Sequence, residues 1–146
     1  MRHVMAIAGL CLPLWAWAQA PGGALAGTAW QLVQIHPASK RSGAVTLDAA
    51  SGYTLHFNAD GRLLMRLNCN QGSGRWQAQP QPDGRSGRLT LEPAIMTTAA
   101  CAAPELYRRV DQGLLAVRAF NLRDGRLHLS LTGDDSLFVW DPLPRR

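Results

Sequence analysis

The 146-residue sequence is poor in several of the residues on which chemistry is usually built. Lys40 is its only lysine, and 10 Asp and Glu stand against 15 Lys and Arg. The carboxylates are scattered: Glu92, Glu105, Asp111 and the turn pair Asp134-Asp135 offer no spacing suited to a general acid and base. No serine sits in a nucleophile elbow. A hydrolytic set sketched from Ser51, His56 and Asp60 fails because His56 alternates outward on a strand. The glycine-rich pieces lack the flanking strand and helix of a phosphate-binding loop. His36, His56 and His128 are dispersed, and two cysteines add too few ligands for a metal site. The expectation is a protein without catalytic residues, cofactor or metal. Internal repeats are also absent. Apolar runs are too short for an anchored span, which takes about 20 predominantly apolar residues. The mature chain is therefore expected without stable membrane insertion.

What is present begins with a targeting segment. Arg2 and His3 give a basic start, Val4 to Trp17 an apolar run broken only by Gly9 and Pro13, and Ala16-Trp17-Ala18 a small-x-small pattern. A secretory signal over residues 1–18, cleaved after Ala18, is the expected reading. Cys11 follows the bulky Leu10, which argues against a lipobox, and cleavage removes it. Cys69 and Cys101 then remain, an even count that favours a disulfide in an oxidising compartment. Such a bond closes a loop of about thirty residues and stabilises by about 3 to 4 kcal/mol in the chain-entropy view. A structural bond is favoured over a redox pair, which usually calls for closely spaced thiols.

The net charge of +5 comes from arginines spread along the chain, including Arg62, Arg66, Arg75, Arg88, Arg108, Arg109 and Arg118. No run concentrates them, so a solvated basic surface is favoured over a dedicated anion-binding face. Secretion makes nucleic acid an unexpected partner. An envelope protein or an anionic envelope component is expected instead, with the chain a monomer.

Up to Leu91 the apolar residues recur at period two. Thr28 to Ile35 reads as a strand and Ala44 to Leu47 as a short one. Tyr53, Leu55 and Phe57, the turn Ala59-Asp60-Gly61, and Leu63, Met65 and Leu67 make a hairpin. Gly72-Ser73-Gly74 reads as a break, Arg75 to Gln79 as a strand, Pro80 to Gly87 as a loop and Arg88 to Glu92 as another strand. A helical period follows over Pro104 to Val117, with Leu106, Val110, Leu114 and Val117 on one face. Leu127, Leu129 and Leu131 after Asp124-Gly125, and Leu137 to Trp140 after Gly133-Asp134-Asp135, give the closing strands. This order predicts a mainly β, α+β fold: a curved antiparallel sheet or partly closed barrel with one helix covering an opening.

Asn68 and Asn70 flank Cys69, either as ligand-facing amides at the rim of the sheet or as partners for backbone groups where strand becomes turn. The second role is favoured. Trp30 and Trp140 belong to the core, and Trp76, beside the glycines and the loop, is the tryptophan best placed to meet a ligand.

Taken together, these pieces resemble the META domain, the family that includes the heat-inducible HslJ lipoproteins of bacteria. Gly27-Thr28-Ala29-Trp30-Gln31-Leu32 is similar to its opening strand, and Phe57-Asn58-Ala59-Asp60-Gly61-Arg62 to its first hairpin. Asn68-Cys69-Asn70-Gln71-Gly72-Ser73-Gly74 is similar to its Cys-Asn segment, and Thr97 to Cys101 to its Thr-to-Cys segment. Glu105, the helix, Leu127-His128-Leu129 and Leu137-Phe138-Val139-Trp140 follow in the family's order. The resemblance implies an envelope location, a mainly β fold with a helix, and a link to stress or antibiotic tolerance, with no reaction. The expected organisation is a linker over 19–26, the domain over 27–141 and a tail over 142–146. The expected function is an accessory binding module of the envelope. Its alternatives are an inhibitor of a secreted hydrolase, acting through the Pro80 to Gly87 loop, and an enzyme whose residues only the fold assembles.

Overall fold

Period-two alternation places Leu55 and Phe57, then Leu63, Met65 and Leu67, on a single buried face, with Arg62, Leu64 and Arg66 turned outward. The computed structural model describes residues 22–39, 42–133 and 135–143. The signal over 1–18, its cleavage after Ala18 and Cys11 lie outside the described residues, as does Asp134 of the expected last turn. The strands are β1 (Thr28–His36), β2 (Val45–Thr46), β3 (Thr54–Phe57), β4 (Arg62–Leu67), β5 (Asn70–Pro80), β6 (Ser86–Leu91) and β7 (Ile95–Met96). After helix α1 (Pro104–Leu115) come β8 (Val117–Arg123), β9 (Arg126–Leu131) and β10 (Leu137–Pro142).

All pairings are antiparallel and run β10-β9-β8-β6-β5-β4-β3-β1, and β1 pairs back onto β10. Eight strands thus close into a barrel, which removes the exposed edges an open sheet would carry. The closure is fuller than the partly closed barrel expected. β2 adds to β1 and β7 to β5 as short outer strands. A bulge in β1 between Leu32 and Gln34 shifts its parity, so Trp30, Leu32 and Ile35 all face inward.

One continuous apolar cluster fills the interior, from Trp140, Phe57, Phe120 and Phe138 to Leu114 of the helix. Each fully buried side chain of this size contributes about 1.5 to 3 kcal/mol. Helix α1 lies across one opening: it approaches β4 and β6, while its Gly113 meets Phe138 of β10 and Leu131 of β9, on the far side of the ring. A Cβ at Gly113 would collide with the Phe138 ring, so glycine sets how deeply the helix seats. At the opposite opening, a 3-10 turn over Gly23–Leu25 inserts Leu25, which is 0% exposed. Residues 22–26 are therefore part of the barrel rather than the linker expected over 19–26. Likewise Pro142 ends β10, and the Leu143 N–H donates to the Ala29 carbonyl at 2.8 Å, so the tail begins later than residue 142.

Three further expectations are corrected. The helix stops at Leu115, and Val117 opens β8. A bulge between Val117 and Ala119 spaces the buried residues of β8 three apart, at Val117 and Phe120, so that strand imitates a continuing helix. Gly72-Ser73-Gly74 is no break, because β5 runs unbroken from Asn70 to Pro80. Its glycines admit the chain crossing beside them: a Cβ at Gly72 would collide with the Met96 sulfur and the Ile95 carbonyl, and one at Gly74 would press on Ala94. The Pro80 to Gly87 loop shrinks to a hairpin turn between β5 and β6. In it Asp83 Oδ1 accepts the N–H groups of Arg85 at 2.9 Å and Ser86 at 3.2 Å. The Arg85 N–H, more than any other contact, holds the Asp83 carboxyl below its usual range.

Candidate functional site

The β4–β5 connection and the segment before α1 are tied together at several points. Asn68 turns the chain in the left-handed region, at φ 60°, which asparagine tolerates better than most residues. Its side-chain amide donates to the Ala102 carbonyl. Cys69 and Cys101 are bonded, with Cα atoms 5.6 Å apart, within the usual span of a disulfide. Asn70 is 3% exposed, and its amide is fully engaged. Its Oδ1 accepts the Ala99 N–H at 2.8 Å and the Thr97 hydroxyl at 3.0 Å, and its Nδ2 donates to the Ala99 carbonyl at 3.1 Å. The stretch from Thr97 to Ala103, which has little apolar surface of its own, is held by this clamp and delivers the chain to Pro104.

Of the residues considered as ligand-facing, Asn70 is buried and engaged, whereas Asn68 is half-buried and Trp76 lines a concavity of about 550 Å³. Both asparagines serve backbone groups, the alternative the sequence favoured. Trp76 is 3% exposed: its indole N–H donates to the Asn58 carbonyl at 3.1 Å, and its ring stands edge to face on Phe57, centroids 5.2 Å apart. Gly22 lies directly against that ring. The tryptophan anchors the 3-10 plug, and with Gly22, Asp60, Gly61 and Arg75 it lines the concavity there.

His56 is exposed on β3, while Ser51 and Asp60 each serve a local turn. Among the described residues, no group of three or more His, Cys, Asp or Glu is placed to hold a metal ion. His128 lies on the outer side of β9, where neither ring nitrogen has a partner among the described residues. Burial, reinforced by Arg123, pushes its pKa below the ordinary histidine value.

A groove of about 610 Å³ lies on the outside of the barrel. One wall is the polar stripe of α1, Glu105, Arg108, Arg109 and Gln112, and the other is formed by the β1–β2 and β9–β10 connections. Its walls are tied together: the Thr132 N–H donates to the Ala116 carbonyl at 2.7 Å, and the Ala38 N–H to the Ser136 hydroxyl at 3.2 Å. Glu105 is taken by Arg108 at 2.8 Å, and Arg109, Gln112 and Thr132 also line the groove. Sequence reading missed this surface, because three ordinary segments, 37–39, 105–116 and 131–138, build it together. The polar stripe of the helix was the one available signal.

The family model described as META domain matches residues 23–141. A search of curated proteins finds no match. The fold is similar to an NMR structure of a protein from Burkholderia xenovorans, with TM-score 0.66, 18% identity and 99% of each chain covered. It is also similar to a crystal structure of a DUF4847 family protein from Bacteroides vulgatus, with TM-score 0.57 and 12% identity over 84% of this chain and 97% of that one. These likenesses are of fold. No helix among the described residues is long and apolar enough to cross a membrane.

Proposed function

The chain belongs to the META domain family, and we propose that it is a non-enzymatic accessory module, periplasmic or secreted, that supports envelope stress tolerance by binding a partner. The observation that carries this reading is where the open space lies. Aromatic and aliphatic side chains fill the barrel, and plugs cover both ends, so open space lies outside it, in a groove of about 610 Å³ lined by Arg108, Arg109 and Gln112. A rigid surface of this kind is suited to recognition. The Cys69–Cys101 bond is the chemistry of an oxidising compartment and supports the location. Inhibition of a secreted hydrolase is a second reading, favoured by the self-bonded β5–β6 turn, which holds Gln81, Pro82 and Asp83 exposed in one conformation.

Complementation in the native host tests both readings. A strain lacking the gene should lose tolerance to heat or antibiotic, and the full chain should restore it. A version lacking residues 1–18 should not restore it. His128→Asn should restore it fully, because this group transfers no proton in a binding module. Restoration by the leaderless form, or its loss in a folded His128→Asn protein, would overturn the proposal. Loss confined to a variant with the 81–85 turn shortened would transfer support to the inhibitor.

A further inference from the structure

The groove beside α1 does not end at the β9–β10 turn. Ala38, Leu131 and Thr132 also line a second depression of about 470 Å³ that includes Arg118 and Asp135. Arg118 in turn lines a third, of about 460 Å³, with Arg88, Leu89, Thr90 and Val117. The shared residues set the three side by side, as a broken trough from Arg109 on α1 to Arg88 on β6. Arg88, Arg108, Arg109 and Arg118 are all exposed along it. Among the described residues they face two carboxylates, Glu105 and Asp135, of which Glu105 is already paired with Arg108. Cations concentrated along a concave path raise the local density of anions and speed their capture.

The far end of the trough crosses the barrel wall where one ladder stops short. β6 and β8 pair at Ser86–Asn121, Gly87–Phe120 and Arg88–Ala119 and no further, although β6 runs on to Leu91. The cause is Arg118. It is the extra residue of the β8 bulge, between the Val117–Leu131 and Ala119–Ser130 pairs, and such a bulge bends its strand. Continued in register, β6 would set Leu89 opposite Arg118, and that pair does not form. The Arg118 Nε instead donates to the Leu131 carbonyl at 3.1 Å, which fixes its guanidinium between the second and third depressions.

We propose that this trough receives an extended acidic peptide segment of a partner protein, its carboxylates spaced along Arg109, Arg118 and Arg88. The inference rests on the reading of the chain as a binding module and supplies the chemistry of its partner. An extended peptide matches both ends of the trough, since it brings carboxylates to the arginines and main-chain groups to the interrupted strand edge at Leu89. An acidic glycan satisfies only the first. The one aromatic lining residue, Phe138, is 1% exposed and offers no open ring on which a sugar stacks.

The test uses the mature chain and a fluorescent peptide of alternating Glu and Thr, with its Gln-for-Glu counterpart and polygalacturonate as comparison ligands. The acidic peptide should bind, weaken with added salt, and lose at least about tenfold in affinity in the double variant Arg88→Glu/Arg109→Glu. Both sites are exposed, and an unchanged melting temperature verifies that the variant is folded. Arg62→Glu/Arg75→Glu, a facing pair on β4 and β5 away from the trough, should leave binding as it was. Equal binding of polygalacturonate at matched carboxylate concentration would overturn the peptide assignment. No binding, or equal loss in the Arg62/Arg75 variant, would overturn the trough itself. Neither result alters the complementation pattern, so failure here and failure of the broader reading are distinguishable.

Discussion

Replacing Cys69 and Cys101 together by serine will lower the stability of the barrel by about 3 to 4 kcal/mol, the loop-closure entropy expected for their separation of 32 residues. For a domain of this size that is a fall of about 10 to 15 °C in melting temperature. The loss will not be spread evenly. The bond ties the β4–β5 connection to the segment that leads into α1, and α1 closes one end of the barrel over Val110 and Leu114. Amides of residues 97–115 should therefore exchange with solvent first, ahead of β3, β4 and β9. Equilibrium urea unfolding checks the magnitude, and hydrogen exchange checks the location. A double variant as stable as the parent, or one that loosens at β1 and β10 first, would show that the bond does not hold the plug.

Asn70→Ala is the second large effect, expected at about 2 to 4 kcal/mol, because it removes a buried amide that holds three hydrogen bonds, each contributing about 0.5 to 1.5 kcal/mol. The Ala99 N–H and carbonyl would both lose the side chain they meet in the parent, and so would the Thr97 hydroxyl. Asn70→Asp discriminates a clamp from mere space filling. It keeps the acceptor toward the Ala99 N–H but loses the donor and places a charge at a 3% exposed site. It should be less stable at neutral pH than in mild acid, where the carboxyl is protonated. Asn70 and the disulfide hold the same segment, so removal of both should be less than additive in urea unfolding. Strict additivity would mean that they act separately.

How far the fold can be read in advance depends on whether its causes are local. The β3–β4 hairpin is legible because alternation and the Asp60-Gly61 turn lie in one short stretch. There Asp60 Oδ1 accepts the Arg62 N–H at 2.9 Å, as turn chemistry predicts. The Asp124-Gly125 turn is legible for the same reason, with both residues at positive φ, 53° and 72°. β8 is not, because the bulge at Arg118 gives a strand the apolar spacing of a helix. The glycines of β5 mislead because the contact that requires them, Met96 and Ala94 of the crossing chain, is far away in sequence. The same distinction governs the sites. Asn70 can be placed at a strand end from sequence, but its partners at Thr97 and Ala99 come from the fold. The burial of Trp76 is not legible because its cover, Gly22, precedes it by more than fifty residues. The basic trough joins arginines from α1, β8 and β6, none of them adjacent in a pattern that periodicity detects.

The central claim is that this barrel works stapled and outside the cytoplasm. Its most direct test is the intact mass of the protein taken from the envelope fraction of its own host, before and after reduction and thiol alkylation. The predicted result is a chain that begins at Gln19 and carries two alkylated thiols only after reduction. A chain that retains Met1, with Cys69 and Cys101 open to alkylation before any reductant is added, would contradict it.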